Sequence, residues 1–267
     1  MKIVSLNVWG GALREELLAY LVAADADVLC LQEVPRTAPG TPEWLTYRDG
    51  AVELAQRANL YDELRSVLPQ HDGFFCPTAR GELFDGDTPY WQEFGLATFV
   101  RSSIAVIGHT MRFIHATFNP HGFGPHPRPR NAHAIRLYDY TQDRSTTIVQ
   151  LHGLRVASGK GDTPERDAQV HALHQLIRDT HAPGEPLIVC GDLNVLPDSR
   201  LFDTLAGLGL TDLVTTHGFT DTRTSRYTKP GRYADYLLVT PEVDVIEFDV
   251  VEQPEVSDHR PLALTTL

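Results

Sequence analysis

A set of polar residues stands where a purely structural pattern would not place them, at the ends of apolar, strand-like runs. Asn7 closes Ile3-Val4-Ser5-Leu6, and Glu33 ends Leu31-Gln32-Glu33-Val34. His152 follows Ile148-Val149-Gln150-Leu151, and Asp192 and Asn194 come directly after Leu187–Cys190 in Gly191-Asp192-Leu193-Asn194. Asp235 lies between Tyr233-Ala234 and Tyr236-Leu237-Leu238-Val239, while Asp258 and His259 open the last apolar run. A carboxylate at the end of a buried strand is costly unless a cation or a hydrogen-bond donor meets it. Brought to one edge of a sheet sandwich, Glu33, Asp192, Asp235 and Asp258 would share a pocket with His152 and His259. Like charges that close raise each other's pKa unless a cation sits among them. Oxygen-rich ligation without thiolate favours a hard divalent ion, Mg²⁺ or Mn²⁺, over zinc.

The elements that must position these groups alternate short apolar runs with longer amphipathic stretches, with no repeat of fixed period. Ile3 to Trp9 reads as a buried strand stopped by Gly10-Gly11, and Val28 to Val34 as a second ended by Pro35. Leu13, Leu17, Tyr20, Leu21 and Ala24 recur at helical spacing, and residues 51–68 carry Ala51, Leu54, Ala55, Ala58 and Tyr61 on one helical face. The stretch from His71 to Tyr140 is β-rich, interrupted by the Pro/Gly-dense segment 119–130, which forbids regular structure and reads as a stiff exposed loop. A strand over Thr146–His152 precedes a helix that starts at Thr163, an N-cap with Pro164 in the first helical position. Strands at 187–190, 233–239, 243–251 and 261–267 and a short helix near 199–205 complete the pattern. No linker-like shift in composition divides the chain, so one domain of mixed α/β layers over 1–267 is expected.

The 267 residues suffice to bury a core without disulfides. With 42% hydrophobic and 22% charged residues the composition is that of a globular protein. No run approaches the roughly 18 apolar residues of a membrane span, and the N-terminus does not resemble a signal peptide. Cys30, Cys76 and Cys190, odd in number and in apolar surroundings, read as reduced core residues of a cytoplasmic protein. A net charge of −12 weighs against tight non-specific nucleic-acid binding, without excluding a local basic site.

In this order the segments SLNVWG, LQEV, VQLHGL, GDLN, RYADYLLV and SDHRPL resemble the motif set of the endonuclease/exonuclease/phosphatase superfamily of metal-dependent phosphoesterases. One tetrapeptide alone is weak; six motifs in order across residues 5–261 are specific. The resemblance implies a four-layer α/β sandwich of two packed mixed sheets, deoxyribonuclease I-like, with the active site at one edge. It implies that Glu33 is the principal ligand of Mg²⁺ (or Mn²⁺), supported by Asn7 and Asp258. It makes His259 the general base for the attacking water and Asp235 the group that orients its ring. Asp192 and Asn194 would position water and phosphate oxygen, and His152 would bind a non-bridging oxygen or assist the leaving group.

Each residue also has a plainer reading. Asp and Asn favour turns, Asn7 could be a hydrogen-bonded core amide, His152 a satisfied core histidine, and Asp235 a partner of Arg232. Arg130 and Asn131, ahead of Ala132–Ile135, are candidates for phosphate contact, with a surface role equally open. Arg223, Arg226, Lys229 and Arg232 crowd into ten residues and form either a phosphate cradle or a solvated loop. His121, His126, His171 and His174 read more simply as solvated. Glu93 is displaced by one residue from where relatives place a carboxylate beside the first histidine, and strand alternation would turn it to the other face. Trp9, Trp44 and Trp91 read as packing residues, with Trp9 close enough to Asn7 to shape the rim.

The substrate is less determined than the chemistry. Val34-Pro35-Arg36 stands where abasic-site nucleases carry a Lys after the metal Glu, and the chain is acidic. A small or lipid-like phosphoester is therefore expected in preference to duplex nucleic acid, acted on by a monomer. An abasic-site or other DNA nuclease of the same superfamily is the alternative, and a non-catalytic phosphate-binding protein on the same fold a second one. The loops 119–130 and 223–232 are the expected specificity elements.

Overall fold

The computed structural model describes residues 1–50 and 52–267. In chain order the elements begin with β1 (Lys2–Asn7), α1 (Arg14–Ala24), β2 (Val28–Thr37), β3 (Trp44–Asp49), β4 (Val52–Arg57) and α2 (Leu60–Val67). Then come β5 (His71–Asp85), β6 (Thr88–Arg101), β7 (Ala105–His115), β8 (Arg130–Asp139), β9 (Arg144–His152) and α3 (Pro164–Thr180). β10 (Leu187–Asp192), α4 (Leu201–Ala206), β11 (Thr211–Asp212), α5 (Leu213–Thr216), β12 (Asp235–Val239), β13 (Val245–Val250) and β14 (Leu262–Thr266) complete the fold.

Among the described residues these strands form two sheets, one of eight strands in the order β13-β14-β1-β2-β6-β5-β3-β4 and one of six in the order β11-β12-β10-β9-β8-β7. Each sheet contains one parallel pair, β1 with β2 and β9 with β10, and each pair is joined through a helix, α1 or α3. Both sheets are therefore mixed. The inner faces meet through Ile3, Cys30, Ile135, Ile148, Ile188 and Cys190. The outer face of the larger sheet, with Val4, Leu6, Leu29 and Leu31, packs on Leu17 and Leu21 of α1 and Leu60 and Leu64 of α2. Burying each such side chain stabilises the fold by roughly 1.5–3 kcal/mol. Helix α3 lays Val170, Leu173 and Ile177 on the smaller sheet. Its start is as expected, with the Thr163 hydroxyl accepting from Arg166 N and Pro164 in the first turn. The expected four-layer sandwich is the architecture observed.

Several boundaries differ from the sequence reading. Residues 52–57 form a strand and not the first half of a helix, because β4 pairs along its whole length with β3 in a hairpin; helix starts only at Leu60. Ala51, counted in that expected helix, lies outside the described residues. Strand β1 stops at Asn7, and Trp9–Gly11 form a single 3₁₀ turn with Trp9 and Gly10 at positive φ. Strand β2 runs through Pro35 to Thr37, with a register shift between Leu31 and Val34. The cysteines are free and buried, as expected.

Candidate active site

Topology gathers the strand-end residues. The C-terminal ends of the two parallel pairs carry Asn7 and Glu33 from one sheet and His152 and Asp192 from the other. Strand β12 is antiparallel to β10, so its first residue, Asp235, comes opposite Asp192. Strand β14 is antiparallel to β1, so the segment before it brings Asp258 and His259 to the same edge. Two local devices sharpen the placement. The β2 bulge holds Glu33 at φ 59°, a left-handed conformation unusual for a residue with a side chain. At Gly191, φ is 135° and a Cβ would lie 2.1 Å from the Leu151 carbonyl oxygen, so only glycine lets β10 approach β9 where it delivers Asp192.

His259 is the centre of the constellation. Its Nδ1 lies 2.8 Å from Asp235 Oδ2 and 2.9 Å from Oδ1, so Nδ1–H donates to the carboxylate and Nε2 keeps its lone pair. Arg223 donates from Nη1 to that Nε2 and, at 2.9 Å, to Asp258 Oδ2. A run of 3.7 Å separations links the rest: Glu33 Oε1 to His152 Nε2, His152 Nε2 to Asp192 Oδ2, Asp192 Oδ2 to His259 Nε2, and His259 Nε2 to Asp258 Oδ1. These gaps exceed a direct hydrogen bond. Ligand atoms of Asp192, Asp235 and His259 also come within 4.8 Å of one another. Asp235 and His259 of that group are already hydrogen-bonded to each other through Nδ1, so they act as a proton-handling pair more than as part of a cage.

The other partners fix the carboxylates. Asn7 donates Nδ2 to Asp192 Oδ2 at 3.1 Å and accepts from Trp9 N at 3.0 Å. Asn194, at φ 55°, donates its backbone N–H to Asp192 Oδ1. Ser257 ties the segment before His259 to β1 by donating to the Asn7 carbonyl at 2.6 Å. Burial lowers the His259 pKa to about 4 and raises that of Asp235 to about 7, with Arg223 opposing the latter. His259 is therefore neutral at pH 7 and able to take a proton. Burial and then the positive charge of Arg130 hold His152 well below the ordinary imidazole range. Glu33 keeps 26% of its side-chain surface, yet sits deep enough between protein walls that desolvation pushes its pKa up to about 7, with Asp258 and Asp192 adding to the rise. Asp258 Oδ1 is buried without a partner. Clustered carboxylates with an orphaned oxygen are the donor set a hard divalent cation requires.

The sequence matches the model of the Endonuclease/Exonuclease/phosphatase family over residues 4–259. The chain belongs to that family. Membership makes it a hydrolase of the phosphoesterase class. Among solved structures, the catalytic domain of human Nocturnin with bound sulfate is similar at 20% identity and a TM-score of 0.70, covering 100% of this chain and 94% of that one. An endonuclease/exonuclease/phosphatase from Bacteroides vulgatus is similar at 17% identity and 0.69, covering 100% and 98%. The mannosyl-6-phosphatase of Bacteroides thetaiotaomicron is similar at 14% and 0.68, covering 100% and 99%. Comparison with curated proteins finds no match. No helix among the described residues is long and apolar enough to cross a membrane.

Of the weaker candidates, this family member brings Arg130 close. It is buried, donates Nε to the Gly153 carbonyl, and feels the charges of Glu33 and Asp192. Asn131 spends its Nδ2 on the Cys76 and Pro77 carbonyls, a brace between sheets. Arg232 is committed to Asp221 at 2.6 Å and to the carbonyls of Arg223, Thr224 and Tyr227, which fastens the 221–232 loop. Glu93 pairs with Arg36 opposite it on β2, away from His152. His126 contacts Asp49, and His171 its own helix backbone at Asp167. Two residues were not singled out. Lys160 donates to the Gly231 and Tyr233 carbonyls, and burial lowers its pKa to about 8. Buried Arg166 holds the Leu154, Gly159 and Asn194 carbonyls together. No local sequence signal marks either, since both work through backbone oxygens, which every residue type supplies.

Proposed function

We propose that this protein is a divalent-metal-dependent phosphoesterase in which water activated by His259 attacks a phosphate ester in line. The observation that carries the reading is His259 held through Nδ1 by Asp235 while its neutral Nε2 faces the carboxylate cluster of Asp192 and Asp258. Glu33 and Asp258, with Asp192 steadied by Asn7, would hold Mg²⁺ or Mn²⁺. A divalent ion bound there would neutralise charge on the phosphoryl and leaving oxygens. His259 Nε2 takes a proton from water as the water oxygen bonds to phosphorus and the bond to the leaving alcohol breaks; the departing alkoxide is protonated from solvent. Asp235 stabilises the imidazolium that results. His152 and Asn194 contact non-bridging oxygens. One domain, 1–267, carries the whole set.

The substrate class we favour is a small or lipid-like phosphoester. The protein is acidic overall, and positive charge collects at the site itself, where Arg130, Arg223 and Arg155 act on His152 and Arg223 and Arg155 act on Lys160. That is a local anion trap and not an extended phosphate-tracking face. The Nocturnin domain holds a sulfate, a tetrahedral oxyanion of the same shape as phosphate. The test is hydrolysis of aryl phosphomonoesters and phosphodiesters with Mg²⁺ or Mn²⁺, alongside sugar phosphates, sphingomyelin, phosphoinositides and abasic duplex DNA. Turnover that disappears on chelation and in Glu33→Ala is expected. Metal-independent turnover, or none across the panel, would overturn the reading, and strong salt-sensitive duplex cleavage would shift it to a nuclease.

A further inference from the structure

Arg223 is fastened on several sides at the site, and the proposed attack by water gives it no part beyond its positive charge. Its backbone is pinned on both sides: its N–H donates to Asp221 Oδ1 at 2.8 Å, and its carbonyl accepts from Arg232 Nη2 at 2.9 Å. It also forms an isolated β-bridge with His259. The guanidinium carbon lies 4.3 Å from the centre of the Tyr227 ring, a cation–π seat that fixes the plane of the group. The residue is 5% exposed.

Two features of its hydrogen bonding point to a ligand. First, Nε–H is buried without an acceptor, and Asp258, whose Oδ2 accepts from Nη1, has its Oδ1 buried without a donor. Native structures rarely leave such groups unmet. An anionic oxygen would satisfy the first and a cation the second, which is the pairing a phosphate and a metal ion bring together. Second, Nη1 donates to His259 Nε2, the atom that must accept a proton from water. With Arg223 there, the base is covered. Burial opposes a charge on Arg223, but Asp192, Asp235 and Asp258 outweigh it and keep its pKa above the ordinary value, so the group stays a cation.

We propose that Arg223 is a catalytic residue that caps His259 Nε2 in the resting enzyme and transfers its N–H donors to a non-bridging oxygen of the phosphate under attack, uncovering the base as substrate arrives. This rests on the phosphoesterase reading and deepens it. The cap would keep water from being activated before substrate is in place, and the transferred guanidinium would meet the charge that grows on phosphate oxygen in the transition state.

The experiment compares wild type, Arg223→Ala and Arg223→Lys, with thermal unfolding as the folding control. Arg223→Ala should lower kcat/KM for an aryl phosphoester by about 10²–10³-fold, the effect of losing one transition-state donor. Added guanidinium ion at millimolar concentration should restore at least a tenth of the loss, which a purely structural role would not allow. By calorimetry with Mg²⁺ present, inorganic phosphate should bind Arg223→Ala at least tenfold more weakly, while Arg223→Lys, keeping the charge, should stay within about threefold of wild type. Unchanged phosphate affinity and turnover in Arg223→Ala would overturn the proposal. So would a loss that guanidinium does not restore and that follows a fall in unfolding temperature. If wild type itself hydrolyses nothing, the phosphoesterase reading fails separately, and the phosphate titrations still decide whether Arg223 binds the anion.

Discussion

In the middle of the sandwich, a chain of hydrogen bonds crosses from one sheet to the other. Gln32 Nε2 donates to Gln150 Oε1 at 3.0 Å, Gln150 Nε2 to Thr98 Oγ1 at 2.7 Å, and Thr98 faces His133 Nδ1 at 2.7 Å. Two residues further along β9 stands His152, and one further along β2 stands Glu33, facing each other across 3.7 Å. Both regions bury polar groups between the same sheets. The interior chain contains no carboxylate, and apart from Gln32 Oε1 and His133 Nε2 its side-chain atoms are met by neutral partners. The edge packs carboxylates against imidazoles and, apart from the His259–Asp235 bond, leaves 3.7 Å gaps between them that are too wide for direct bonds. Largely satisfied neutral polarity holds sheets together; clustered carboxylates with arginines beside them leave the edge open to a cation and an anion. On β9 one face does both, because period-2 alternation lets Gln150 and His152 point alike, while on β2 the bulge brings Glu33 to the edge next to Gln32; depth decides which chemistry follows.

That contrast can be broken at either end. The largest effect should come from Glu33→Ala, with turnover lower by about 10³-fold or more and no response to added Mg²⁺; residual activity within tenfold of wild type would remove Glu33 from the centre. Asp235→Asn should lower kcat by about 10²–10³-fold with KM little changed, because the imidazole keeps its place and loses its orienting charge. Steady-state kinetics with an aryl phosphoester separates the two parameters.

At the interior end the readout is stability. Burial and the neighbouring His109 lower the His133 pKa to about 4 from 6.5. The unfolded chain therefore binds a proton that the folded chain refuses between pH 6.5 and 4. Stability is full above pH 6.5 and falls as the medium is acidified, by up to about 1.4 kcal/mol per unit and roughly 3 kcal/mol in all from this group. Urea unfolding at pH 7 and 4.5 should show that slope, flattened in His133→Phe. The smallest effect should be Gln150→Leu, about 1–3 kcal/mol less stable because Thr98 and Gln32 lose a partner, with kcat/KM within about threefold of wild type. A larger catalytic loss would mean that the interior chain positions His152 and is not a separate structural region.

Much of the edge was legible in the sequence, because a carboxylate, amide or imidazole that ends an apolar strand is visible without coordinates. Asn7, Glu33, His152, Asp192, Asn194, Asp235, Asp258 and His259 do come together. Residues 52–58 misled, since Leu54, Ala55 and Ala58 repeat at helical spacing while pairing with β3 outweighs that local preference. The basic loop was visible only as composition. Its arginines share a neighbourhood in sequence and divide in space, Arg223 onto His259 and Arg232 onto Asp221.

By itself the sequence determined the inventory of chemistry and the two strand–helix–strand units, because each is written in alternation, capping or turn preference over a few adjacent residues. Only the tertiary structure decided that Glu33 sits at left-handed φ on a bulge, that Asn7 holds Asp192 from 185 positions away, and that Arg223 covers the lone pair of His259. Those facts depend on how distant segments register against one another, and short-range patterns carry no term for that.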